Sequence, residues 1–136
     1  MFGLRRTPAP VPAPEDCMPG RADAIPTSDI HFVNGRPIHG PFPANMESII
    51  FGMGCFWGAE RLFWQLPGVY TTAAGYAGGT TPNPTYAETC TSMTGHTEAV
   101  LVVFDPDEVN LQALFKVFWR TTTRLNTWVR ATTSAA

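Results

Sequence analysis

The sequence predicts an α/β (α+β) domain, a mixed β-sheet with helices packed on it, and three observations carry that reading. Short runs rich in β-branched and aromatic residues, SIIFGM at 48–53 and TEAVLVVF at 97–104, have the composition of strands. Two stretches, from Phe56 and from Leu111, space their apolar residues at helical period. Strands and helices are interspersed along the chain rather than segregated into blocks. At 136 residues with 44% apolar content, the chain is sized for one domain with a modest core.

The elements follow in order. Residues 1–45 hold most of the 13 prolines and little periodicity, so they read as an extended, Pro-rich arm, partly disordered and draped over the domain. The compact part begins at 46. Ser48–Met53 is a short apolar run closed by Gly54, as expected of a buried strand, and Cys55 follows at its C-terminal end. From Phe56, the apolar Ala59, Leu62, Phe63 and Leu66 recur at helical spacing, with Glu60 and Arg61 between them, until Pro67-Gly68 stops the helix. A second strand fits Val69–Tyr76, and the Gly/Pro/Asn-rich AGGTTPNPTY reads as a loop. A third strand fits Thr97–Phe104 before the Asp105-Pro106 turn, and Leu111, Leu114, Phe115 and Phe118 mark a second amphipathic helix. There is no internal repeat.

Composition excludes several classes of partner. A net charge of -2, with 15% charged residues and no run of Lys or Arg, provides no electrostatic footprint for nucleic acid or anionic lipid. The start, MFGLRRTPAPVPAPEDC, follows Arg5 and Arg6 with prolines instead of an apolar segment, so no secretory signal is expected, and no later run is long enough to cross a membrane. The expectation is a cytoplasmic monomer. Cys17, Cys55 and Cys90 are an odd count without a CxxC pair, which argues against a disulfide framework and against a zinc knuckle.

Cys55 stands at a strand-to-helix junction, in GCFWGAERLFW. There a thiol meets unpaired backbone N–H groups and the positive end of the helix dipole, and both favour the thiolate. That makes it a candidate nucleophile; the competing reading is a small buried hydrophobe. Phe56 and Trp57 fit equally well as core or as the wall of a pocket for a small apolar group. Glu98, in TGHTEAV, begins the third strand. Facing a pocket it would be kept protonated by desolvation and could act as a general acid; facing outward it would be an ordinary strand carboxylate. Tyr86 could offer a hydroxyl to the same site or serve as packing. His96 reads as a turn residue rather than a metal ligand, because no other His or Cys stands at ligand spacing.

With GCFWGAERLFW, GYAGGTTPNPTYAETC, TGHTEAV and the FDP turn taken together, the chain closely resembles the A-type peptide methionine sulfoxide reductases, which act on the S epimer of the sulfoxide. PGRADAIP and HFVNG in the arm resemble the long bacterial members, so the likeness covers nearly everything from Met18 to Trp119. The resemblance implies an α/β domain with a mixed sheet at 46–119. It implies Cys55 as the nucleophile that attacks the sulfoxide sulfur, Glu98 as the acid that protonates its oxygen, Phe56 and Trp57 as the pocket for the substrate methyl group, and Tyr86 as a hydrogen-bond partner of the oxygen. Substrates would be oxidised proteins or free methionine sulfoxide. No metal or organic cofactor is needed, since thioredoxin or a small thiol recycles the Cys55 sulfenic acid.

After Trp119 the likeness stops. RTTTRLNTWVRATTSAA has no counterpart of the family's HDPTQ and GND segments, which supply an Asp and a Tyr to the sulfoxide oxygen, or of its resolving cysteines. The sequence therefore predicts a domain incomplete at the C-terminus, truncated or frameshifted after Trp119, with 120–136 as a disordered tail. It leaves three functional expectations: a reductase with a working first step, an inactive remnant that at most binds oxidised methionine, and a peroxidase-like thiol sensor.

Overall fold

The computed structural model describes residues 10–54, 56–122 and 130–133, with the backbone alone at 57, 122 and 130–133. The chain divides into two units, residues 26–77 with 97–136 and residues 1–25 with 78–96.

The larger unit is organised by a sheet. Strand β1 (Glu47–Gly52) is followed by helix α1 (Phe56–Trp64) and strand β2 (Val69–Ala77), within a residue or two of the expected bounds. Strand β3 (Thr97–Phe104) pairs antiparallel with β1, from Glu47 opposite Phe104 to Gly52 opposite Ala99. On its other edge it pairs antiparallel with β2, from Val69 opposite Phe104 to Ala77 opposite Thr97, with an irregularity between Val69 and Thr71. The resemblance implies a mixed sheet; among the described residues every ladder is antiparallel. The reason is topological. β1 and β2 run in the same direction and are joined by the α1 crossover, but β3 lies between them and runs against both.

Side-chain alternation along β3 places Val100, Val102 and Phe104 on one face, where they join Ile49 and Phe51 of β1 in the core. Helix α1 contributes buried Ala59 and Phe63, and helix α3 (Leu111–Thr122) contributes Leu114 and Phe118. Phe51 is the hub. Its ring stacks on Phe63 at 4.8 Å and meets Phe115 at 5.8 Å and Phe118 at 5.1 Å. Leu62, expected on the core face of α1, is 38% exposed. It stands roughly 100° around the helix from Phe63, outside the stripe defined by Ala59 and Phe63. Asn110 caps α3, its side-chain oxygen accepting from Ala113 N–H at 2.8 Å.

The smaller unit joins part of the arm to the glycine-rich loop. Met18 N–H donates to Met93 O (2.8 Å), Thr81 Oγ1 donates to Met18 O (2.9 Å), and Arg21 N–H donates to Pro82 O (3.1 Å). Gly20 has φ +62 and lies so close to the Pro82 carbonyl that a Cβ would overlap it, which restricts the position to glycine. A four-residue helix, α2 (Tyr86–Thr89), begins at the last residue of the AGGTTPNPTY loop. Thr85 and Glu88, three residues apart, form its capping box.

Arg21 donates to Glu88 from both terminal guanidinium nitrogens, at 2.8 and 3.0 Å. That hydrogen-bonded pair, helped by the Thr85 N–H, holds the Glu88 carboxyl at about 2 against an ordinary 4.5. A depressed carboxyl contributes stability that is complete above its unfolded value and is lost as pH falls through the folded one. The urea midpoint of the protein is therefore expected to drop between pH about 4.5 and about 2. In Arg21→Gln the part of that drop due to Glu88 shrinks; an identical acid limb in the variant would refute the assignment.

Of the tail expected to be disordered, residues 120–122 complete α3, and strand β4 (Arg130–Thr133) pairs antiparallel with the free edge of β1, from Ile49 opposite Thr133 to Gly52 opposite Arg130. An open strand edge offers a row of unpaired backbone groups, and β4 takes them. Residues 123–129 and 134–136 lie outside the described residues.

Candidate active site at the head of the first helix

β1 delivers the chain to α1 through Met53 and Gly54, and Gly54 has φ +73, the left-handed conformation that lets strand pass into helix within a few residues. Cys55, the expected nucleophile, lies outside the described residues, between Gly54 and Phe56. Phe56 opens α1. Its backbone N–H is one of the donors that a helix start leaves without an intrahelical partner, and it donates to Glu98 Oε2 at 3.1 Å.

Glu98 reaches that position through the sheet. Two residues before Val100 on β3, its side chain lies on the same face as Val100 and Val102, the face that carries α1. Of the two readings of Glu98, the inward one is therefore the observed geometry, and the carboxyl is half-buried over the first turn of α1.

Directly opposite Glu98 on β2 is Tyr76, whose ring centroid lies 5.6 Å from that of Phe56, the planes at 43°. The sequence alone does not mark Tyr76 as a neighbour of Glu98 and Phe56. The signal is in the register, because cross-strand partners share a face, and register is not visible in one strand alone. Phe56 is half-buried and packs on the margin of the core. The side chain of Trp57 lies outside the described residues. Tyr86 is the first residue of α2, in the smaller unit, and is 60% exposed.

His96 is a structural residue. Its Nδ1 accepts from Gly79 N–H at 3.2 Å, so its Nε2 is the donor to Thr81 O at 2.8 Å. Both nitrogens thus staple the loop. Among the described residues no group of three or more His, Cys, Asp or Glu is placed to hold a metal ion, and no helix is long and apolar enough to cross a membrane.

An α/β domain with a split β-α-β crossover, whose polar end combines a helix start with an inward carboxyl, is the class that fold and geometry define. Within that class, the chain belongs to the peptide methionine sulfoxide reductase family, whose model matches residues 47–129. The match runs beyond Trp119, where the readable motifs end. The chain is 64% identical over 109 residues to the peptide methionine sulfoxide reductase MsrA of Brucella anthropi, covering 80% of this chain and 50% of that protein. It is 59% identical over 118 residues to the Brucella ovis protein of the same name, covering 87% and 54%. Among solved structures it resembles methionine sulfoxide reductase A of Corynebacterium diphtheriae, with a TM-score of 0.75 and 42% identity over 82% of this chain and 52% of that one. Mxr1 of Saccharomyces cerevisiae in its reduced form gives 0.53 and 27%, over 57% and 48%. The chain spans about half the length of the curated relatives it matches.

Proposed function

We propose that this chain reduces methionine S-sulfoxide, free or in oxidised proteins, to methionine through Cys55. The observation that supports this most directly is the Glu98 carboxyl seated on the Phe56 N–H, at the residue that follows the cysteine. The Cys55 thiolate attacks the sulfoxide sulfur, and Glu98 protonates the oxygen. The hydroxyl then passes from the sulfoxide sulfur to the Cys55 sulfur, as the S–S bond formed in the attack breaks with its electron pair to methionine, which departs and leaves a sulfenic acid on Cys55. Glu98 Oε2 accepts from the Phe56 N–H, which holds the carboxyl over the first turn of α1, where its proton is to be delivered.

Phe56, braced by Tyr76, and Trp57 form the apolar wall for the substrate methyl group, and Tyr86 donates to the sulfoxide oxygen, the assignment the family pattern supplies. Two thiols, from thioredoxin or a small-molecule reductant, then convert the sulfenic acid to water and a thiol, being oxidised to a disulfide. The chain works as a cytoplasmic monomer, with no metal or organic cofactor.

A single-turnover assay tests the reading. Reduced protein mixed with a racemic methionine sulfoxide peptide is expected to form methionine from the S epimer alone, with stoichiometric sulfenic acid trapped on Cys55 by dimedone. No methionine, or an adduct on Cys17 or Cys90 instead, would sink it.

A further inference from the structure

The arm residue His31 is 5% exposed, although the sequence around it, IHFVNG, reads as loop. A buried imidazole needs partners for both nitrogens, and it has them. Nδ1 accepts from Val33 N–H at 3.1 Å and from Asn34 N–H at 3.3 Å. An acceptor nitrogen carries no hydrogen, so the hydrogen-bond pattern puts the ring proton on Nε2, which donates to Thr72 Oγ1 at 2.8 Å. The Thr72 hydroxyl in turn donates to Glu60 Oε1 at 2.8 Å. His31 Nε2 stands 3.6 Å from that same oxygen, too far for a direct hydrogen bond, so the link runs through the threonine. Each donor and acceptor has one direction: His31 to Thr72 to Glu60.

The chain ends on the helix that matters for the chemistry. Glu60 is four residues after Phe56, on the same side of α1, and four residues further on Trp64 takes the edge of the His31 ring at 5.3 Å and 85°. Helix α1 is thus held at its head by Glu98 and along the same side by Thr72 of β2 and His31 of the arm. Alternation on β2 and pairing with Val102 put Thr72 on the face of the sheet that carries α1.

We propose that His31, Thr72 and Glu60 are positioning residues that set the seat of α1, and through it the reactivity of Cys55, the residue that directly precedes the helix in sequence. The inference rests on Cys55 being the reactive thiol of the proposed reaction, but not on sulfoxide reduction itself. None of the three touches substrate. Their contribution is to keep the first turn of α1 from shifting or fraying, since a helix start stabilises a neighbouring anion only while its N–H groups stay aligned on it.

The test compares Thr72→Val, which removes the hydroxyl at nearly constant shape, with Thr72→Ser, which keeps it. Iodoacetamide labelling of each Cys of the full 136-residue chain is followed by peptide mass spectrometry at neutral pH, well below the urea transition of every variant. Thr72→Val and His31→Phe are each expected to slow Cys55 labelling roughly two- to five-fold, the size of a weakened helix-terminus interaction. Cys17 and Cys90 should label at unchanged rates, and Thr72→Ser should label Cys55 as the parent does. The double variant should be no slower than the slower single one, because both break one chain. An unchanged or faster Cys55 rate in Thr72→Val, or a Thr72→Ser variant as slow as Thr72→Val, overturns the proposal. Should His31→Phe fail to fold, the threonine pair decides alone. Absence of methionine formation by the parent would overturn the reductase reading and leave this comparison standing.

Discussion

Glu98→Gln is expected to slow single-turnover methionine formation by about a hundred-fold or more, the scale of a lost general acid. Glutamine preserves the acceptor for the Phe56 N–H, so α1 keeps its seat and the loss isolates the proton. Cys55→Ser is expected to remove the reaction altogether, because a serine hydroxyl neither ionises near neutral pH nor accepts oxygen from a sulfoxide. Rapid-quench chromatography of released methionine, with matched urea midpoints, checks both variants. A Gln variant as fast as the parent would return Glu98 to a structural role as the N-terminal anchor of α1.

Phe51→Ala is expected to cost about 3–5 kcal/mol of stability, the range for truncating a buried phenylalanine. Natural domains of this size have only about 5–15 kcal/mol in total, so the loss endangers folding itself. Phe51 is fully buried and its ring touches Phe63 of α1 and Phe115 and Phe118 of α3, so removing it opens the junction of both helices with the sheet. By contrast Leu62→Ala, on the exposed side of α1, should cost less than about 1 kcal/mol. Urea denaturation followed by tryptophan fluorescence distinguishes them; equal losses at the two positions would contradict the assigned core.

Local pattern suffices for much of this molecule. Strand composition and helical period place β1, α1, β2, β3 and α3, because each depends on neighbours two to four residues away, and local chemistry alone marks Cys55 at a strand-to-helix junction. The motif string from Gly54 to Val100 is specific enough to identify the family before any coordinate is known. The short helix α2 is absent from the sequence reading because four residues present too little period, although Thr85 and Glu88 stand at capping-box spacing.

Pairing decided the rest, since register and contacts distant in sequence leave no trace in any single segment. The inward face of Glu98 depends on which side of β3 receives α1, and the place of Tyr76 depends on its opposition to Glu98 across the ladder. The ladders among the described residues are antiparallel because β3 inserts between the two strands that α1 joins. The same holds for the Pro-rich arm. Its composition says only that it lacks regular structure, whereas the burial of His31 against Thr72, 41 residues away, and the closure of Arg21 on Glu88, 67 residues away, are set by where the sheet and the loop stand when the arm reaches them.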